Sequence, residues 1–185
     1  LPASSGYRFT TVNIGEISNK GHELVARITT LKNVKGINWD INFNFTKNNN
    51  KVVKVSDQSD ELAFSTGGIQ VVAKEGLPFG TFKALDFSRD PNGNIIVNAQ
   101  GAPVAAVDYS YFGSYQPKYQ MGFGSNLSWR GLAVSVQFDL KQGGQFYSGT
   151  KSASDFNGTS LTSVINDRQP YIVPGSVVDN GDGTF

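Results

Sequence analysis

At 185 residues the chain is long enough for one sizeable domain, and its net charge of +1, with 17% charged residues, makes no electrostatic case for nucleic acid or an anionic membrane surface as a partner. The absence of Cys excludes a disulfide framework and a thiolate metal site. Twenty-one Gly, 12% aromatics and a single Met describe a chain of turns and strands, so the expected class is all-β. No stretch approaches the ~18 consecutive apolar residues of a transmembrane helix, which leaves a β-barrel as the one membrane-spanning option. The start, Leu1-Pro2-Ala3-Ser4-Ser5-Gly6, has neither the basic opening nor the apolar run of a signal peptide, so a leader has been removed or the chain is an internal piece.

The first predicted strand covers about Gly21 to Thr30. It places Leu24, Ala26 and Ile28 on one face and Glu23, Arg27 and Thr29 on the other, with Val25 as an apolar intruder on the polar side. A short link, Leu31 to Gly36, joins it as a hairpin to the clearest element in the chain. From Ile37 to Thr46 apolar and polar residues alternate without error: Ile37, Trp39, Ile41, Phe43 and Phe45 against Asn38, Asp40, Asn42, Asn44 and Thr46. From Lys47 to Lys118 the chain is Gly/Pro-punctuated and strand-like only locally, at Lys51 to Val55, Ile69 to Ala73 and Asn94 to Asn98.

A third strand, Tyr119 to Trp129, gathers Tyr119, Met121, Phe123, Leu127 and Trp129 on one face. After a tight Arg130-Gly131 turn, the fourth gathers Leu132, Val134, Val136, Phe138 and Leu140. The tail from Gln142 on is rich in Gly, Ser, Asn and Asp, with little sustained period.

Two architectures accommodate two-faced strands of this kind. In a soluble sandwich the apolar face meets a core and the Asn-rich face meets water, as in a carbohydrate-binding or adhesin-like module. In a membrane barrel the apolar face meets lipid and the polar face a lumen. Strands of about 9–11 residues and the alternation of short turns with long loops fit the barrel. Tyr119 and Trp129, bracketing the third strand, suit two membrane interfaces.

Five fragments in order then resemble one family. Asn13-Ile14-Gly15-Glu16-Ile17-Ser18-Asn19-Lys20-Gly21-His22-Glu23 is similar to an N-x-G-x-x-x-N-x-G-x-E signature, and the stretch Trp39 to Val53 follows at the family's spacing. Gly76-Leu77-Pro78-Phe79-Gly80 resembles its G-x-P-x-G, Gly113 to Lys118 its G-x-x-x-P-K, and Asp139 to Gly144 its D-x-x-x-G-G. The family is the SusC/RagA-type TonB-dependent transporters of Bacteroidetes outer membranes, and the match covers most of residues 6 to 150.

The resemblance implies antiparallel long hairpins from a transmembrane β-barrel with long extracellular loops, incomplete in this chain and drawn from the C-terminal half of the barrel. It implies a single barrel segment over 1–185, with hairpins at 18–48 and 119–143, a long extracellular loop at 49–118 and a loop or tail at 144–185. It implies nutrient import and polysaccharide utilisation, with an oligosaccharide or peptide ligand, a SusD-like surface lipoprotein, the TonB complex reached through parts absent here, and outer-membrane lipid as partners. No cofactor, catalytic group or nucleic acid enters that reading.

Ligand contact is expected where aromatic faces gather in the long loop: Phe79, Phe82, Tyr109, Tyr111, Phe112 and Tyr115, which stack on sugar rings or peptide side chains or else pack the loop on itself. Asp179 and Asp182, in Asp-Asn-Gly-Asp-Gly, resemble the start of a calcium loop whose bidentate Glu is missing, so a polar turn is the expected reading. His22, the sole histidine, makes neither a zinc cluster nor a triad. Asp86, Asp90 and Asp108 lack the spacing that would mark an acid/base pair.

Overall fold

A computed structural model describes residues 15–65 and 67–180. They form strands β1 (Glu16–Val34), β2 (Ile37–Lys54), β3 (Glu61–Ala63), β4 (Ile69–Lys74), β5 (Thr81–Phe87), β6 (Ile96–Val97), β7 (Ala105–Ser114), β8 (Tyr119–Trp129), β9 (Leu132–Gln142) and β10 (Val177–Val178), with one α-helix, α1 (Gly149–Phe156), and a 3-10 segment over Leu161–Arg168. Two compact units result. Among the described residues, one holds 15–65, 71–81 and 113–144; the other holds 67–70, 82–112 and 145–180.

The first unit is built on a four-stranded sheet in the order β1-β2-β8-β9, antiparallel throughout. Its register carries the period-two pattern of each strand across all four. Ala26, Phe43, Phe123 and Phe138 form one row, and Leu24, Phe45, Met121 and Leu140 the next. A slip of one residue would send every apolar side chain to the wrong face, so the pattern itself selects this pairing. Ser125 breaks the apolar band in the row of Ile28, Ile41 and Val136, and the indole of Trp39 answers it: Nε1 donates to Ser125 Oγ at 2.9 Å.

On the opposite face Arg27, Asn42, Gly124 and Gln137 form a row beside Val25, Asn44, Gly122 and Asp139. Gly122 and Gly124 leave space that the neighbouring amides fill. A Cβ at Gly124 would lie 2.1 Å from Asn42 Oδ1, and one at Gly122 2.5 Å from Asn44 Nδ2. Thr29 donates to Asp40 Oδ1 at 2.7 Å across this face.

The sheet does not close, since β1 and β9 are its two edges. Its apolar face is uncovered: Phe138 is 63% exposed, Leu24 56% and Phe123 42%. A soluble sandwich would bury these rings against a second sheet.

Both hairpins end in a two-residue turn, Lys35-Gly36 (φ 51° and 82°) and Arg130-Gly131 (φ 45° and 90°). Positive φ at both central positions is what a type I′ hairpin turn requires. The first turn is tighter than the six-residue link expected from the sequence, because β1 continues to Val34 through two register irregularities, with the Asn33 amide donating to Asn38 Oδ1 at 2.9 Å.

Strands β1 and β2 are also longer than the ten residues expected, at 19 and 18. Their additional pairs, such as Asn19 with Asn50 and Lys20 with Asn49, are polar on both faces, so no hydrophobic period announces them. Side-chain amides tie them instead: Asn48 and Asn50 both donate to Asn19 Oδ1, at 3.2 and 2.7 Å.

Beyond this extension lies a small core of Val52, Val55 and Ala73, with Phe79 packed against it. Val52 N donates to Leu77 O and Gly76 N to Val52 O, each at 2.9 Å, and Phe79 N donates to Asn50 Oδ1 at 2.7 Å. The hairpin of β3 with β4 brings Leu62 opposite Ala73.

In the second unit β5 lies beside β7, and β6 runs parallel to β10, pairing Ile96 with Val177 and Val97 with Val178. Val97 is buried. The turn Asp90-Pro91-Asn92-Gly93-Asn94 is organised by one carboxylate. Asp90 Oδ1 accepts from the Asn92 and Asn94 amides at 2.9 and 2.7 Å, and Oδ2 from the Asn94 side chain at 2.9 Å. Burial pushes this carboxyl's pKa up, but the hydrogen bonds from Asn94 and Asn92 outweigh burial and hold it below its ordinary value.

The tail, without period in the sequence, contains α1. Ser148 caps the helix by accepting from Lys151 N at 3.1 Å. Lys151 Nζ and Thr162 Oγ1 donate to Asp155 at 2.6 and 2.7 Å, which lowers its pKa, the Lys151 hydrogen bond being the largest cause.

Candidate functional site

Strands β5 and β7 present two chemically different faces, because side chains two apart share a side. On one, Lys83 Nζ lies 5.1 Å from the centre of the Tyr109 ring and 5.9 Å from that of Tyr111, within cation–π range of both. On the other, Phe82 and Ala84 of β5 and Phe112 of β7 join Ile69, Gln145, Phe146 and Tyr147 around an open, largely apolar cavity of about 250 Å³. Tyr109, Tyr111 and Phe112 remain about two-fifths exposed, so their ring faces are accessible.

The six aromatic residues singled out in the sequence are thus distributed over three places. Phe82 and Phe112 line the cavity, and Tyr109 and Tyr111 flank Lys83. Phe79 and Tyr115 belong to the first unit. Phe79 packs on Phe64, with ring centres 5.2 Å apart, and its carbonyl accepts from Ser114 Oγ at 2.8 Å. Tyr115 lies against Gly80 and donates its amide to Gly80 O at 3.2 Å. Both make packing contacts there, and Tyr115 also keeps 47% of its surface exposed.

Ile69, Lys83, Phe146 and Tyr147 were not among the expected contacts. Their signal was faint: Phe82, Ala84 and Asp86 and the intervening Lys83, Leu85 and Phe87 both mix apolar with charged residues, so β5 shows no clean period of two, and the Phe146-Tyr147 pair stands isolated in a polar tail.

The carboxylates divide without forming a pair. Asp86 faces Arg89 at 3.6 Å, Asp90 is occupied by its turn, and Asp108 is exposed. Among the described residues no group of three His, Cys, Asp or Glu could hold a metal ion. Asp179 is exposed in the described tail, while Asp182 lies outside the described residues. His22 is an exposed β1 residue paired in register with Lys47.

The polar face of the first unit offers the other candidate surface. Arg27, Thr29, Asp40, Asn42, Asn126 and Gln137 line a shallow depression there, with neutral amides outnumbering charges. Such a surface holds water and hydrogen-bonds polar ligands without the cost of a bare buried charge.

No protein-family model matches the sequence. Over 169 residues, 78% of this chain, it is 26% identical to the TonB-dependent receptor P3 of Formosa agariphila, and over 176 residues, 80% of the chain, 26% identical to the TonB-dependent receptor P26 of the same organism. The chain spans 17% of the length of each.

Among solved structures, it is similar to the RagAB peptide transporter, with a TM-score of 0.53 and 21% identity over 75% of this chain and 16% of that one. The RagAB peptide importer in its open-open state gives a TM-score of 0.56 and 18% identity over 76% of this chain. The four-stranded wall with one apolar and one amide-rich face, the sequence relatives and the shared fold make this chain similar to a β-barrel segment of the TonB-dependent receptors, proteins of the cell outer membrane.

Proposed function

We propose that this segment supplies part of the barrel wall and the ligand-facing extracellular loops of a TonB-dependent nutrient importer. The observation that carries the reading is the uncovered apolar band running in register across β1, β2, β8 and β9, opposite a face of Asn, Gln and Gly. Lipid is the environment that makes such a band favourable, and an aqueous lumen suits the opposite face.

The connection from β2 to β8 and the segment after β9 both leave at the strand ends opposite the two short turns. In an outer-membrane barrel that end is extracellular, so residues 49–118 and 144–185 form outside loops. The transported ligand is an oligosaccharide or a peptide. A SusD-like surface lipoprotein covers the loops, and TonB energises release through parts of the protein beyond this chain. The segment works by shape and binding, without a chemical step.

Ligand contact belongs to the second unit, where Phe82 and Phe112 border the cavity and Tyr109 and Tyr111 stand exposed beside Lys83. In the full-length transporter, Phe82→Ala combined with Phe112→Ala should weaken ligand binding by about tenfold or more, the scale of losing aromatic anchors. Folding is read independently from the heat-modifiable migration of the barrel. Unchanged affinity in a correctly folded variant would remove these residues from the ligand site.

A further inference from the structure

We propose that the two short turns form a cationic rim that binds the headgroups of anionic phospholipids, a surface that rests on the barrel reading above. The chain's near-zero net charge conceals it. Residues 31–38 and 128–132 contain Lys32, Lys35 and Arg130 and no acidic residue. The turns are neighbours: Ile37 pairs with Trp129, and a Cβ at Gly36 would lie 3.6 Å from Arg130 Cγ and 4.0 Å from Trp129 Cδ1.

All three cations are exposed, and among the described residues none has a carboxylate within ion-pair distance. Lys35 and Arg130 occupy the first central position of their turns at φ 51° and 45°, where Asn, Asp or Gly is favoured, so the basic side chains sit at positions that backbone preference alone does not select.

Height fits as well. Trp129 begins the apolar band at this end, and the Arg130 guanidinium carbon lies 5.6 Å from its ring centre. Trp129 and Tyr119 are ten residues apart along β8. At about 3.4 Å per residue and a tilt of roughly 40–45°, the two rings are separated by about 25 Å across the bilayer, the height of a barrel's apolar band. Lys32, Lys35 and Arg130 then stand at headgroup level, where phosphate is the complementary charge and basic residues gain from anionic lipid.

The test uses the full-length transporter in nanodiscs of phosphatidylcholine alone or mixed with phosphatidylglycerol, each lipid carrying a photoreactive headgroup in turn. Cross-links are mapped by mass spectrometry. Phosphatidylglycerol should label peptides containing 31–38 and 128–132 several-fold more than phosphatidylcholine, and the Lys32→Gln, Lys35→Gln, Arg130→Gln variant should lose that preference. Equal labelling by the two lipids, or a preference that survives the triple variant, would overturn the proposal. Lipids photoreactive in the acyl chain provide the separate control: if they fail to label β8 and β9, the barrel reading fails, whereas labelled strands with indifferent turns reject the rim alone.

Discussion

A Cβ at Gly80 would lie 2.0 Å from Tyr115 Cε1, and the residue's φ of 75° is one that side-chain-bearing residues rarely adopt. Gly80→Ala therefore strains the backbone and displaces the Tyr115 ring, at a cost of about 1–3 kcal/mol. Hydrogen exchange in the full-length protein should show faster exchange of the Tyr115 amide, which donates to Gly80 O; unchanged protection would mean that the ring gives way freely. Asp90 makes a pH prediction. Its carboxyl pKa is depressed in the folded turn, so its contribution is fully present above the unfolded value of about 3.9 and is lost as pH falls through the lower folded value. The Asn92 and Asn94 amides should stay protected from pH 7 down to about 4 and open only below it. Asp90→Ala should leave them open across the whole range.

The elements were legible to the degree that their environment is two-sided. Ile37 to Thr46 and the strands after Tyr119 separate an apolar from a polar face residue by residue, and their alternation located the apolar band and the two hairpins, though not the pairing of β2 with β8 that joins them. The outer halves of β1 and β2 carry Asn and Lys on both faces, so pairing there is held by backbone and amide bonds that leave no hydrophobic trace. β5 and β7 escaped notice because two aromatic-rich faces blur a period of two, and α1 because it buries no residue. The face assignment has an asymmetric consequence. Phe43→Arg, in the middle of the apolar band, should destabilise the full-length barrel by roughly 2–4 kcal/mol, whereas Asn42→Arg on the lumen side should cost far less. Equilibrium unfolding in lipid vesicles measures both, and equal costs would place the two residues in the same environment.

At the scale of the molecule, the chain covers about a sixth of the length of its relatives, and four strands cannot close a barrel. The isolated chain has two sheet edges and an uncovered apolar face, so it should self-associate in buffer without detergent, as read by sedimentation. A folded monomer there would favour a soluble module. The likeness to TonB-dependent receptors was legible from five short fragments. The ligand region was legible only in part, because Phe82 meets Phe146 and Tyr147 through folding of segments more than sixty residues apart. The lipid-facing assignment is measured most directly by a single-cysteine scan of residues 119–142 in the full-length protein, a stretch without native cysteine, with a fluorophore at each site and a quencher confined to the lipid phase. Quenching should follow a period of two, with Phe123, Val134 and Phe138 quenched and Gly122, Ser135 and Gln137 protected. Uniform quenching, or quenching of the opposite set, would contradict it.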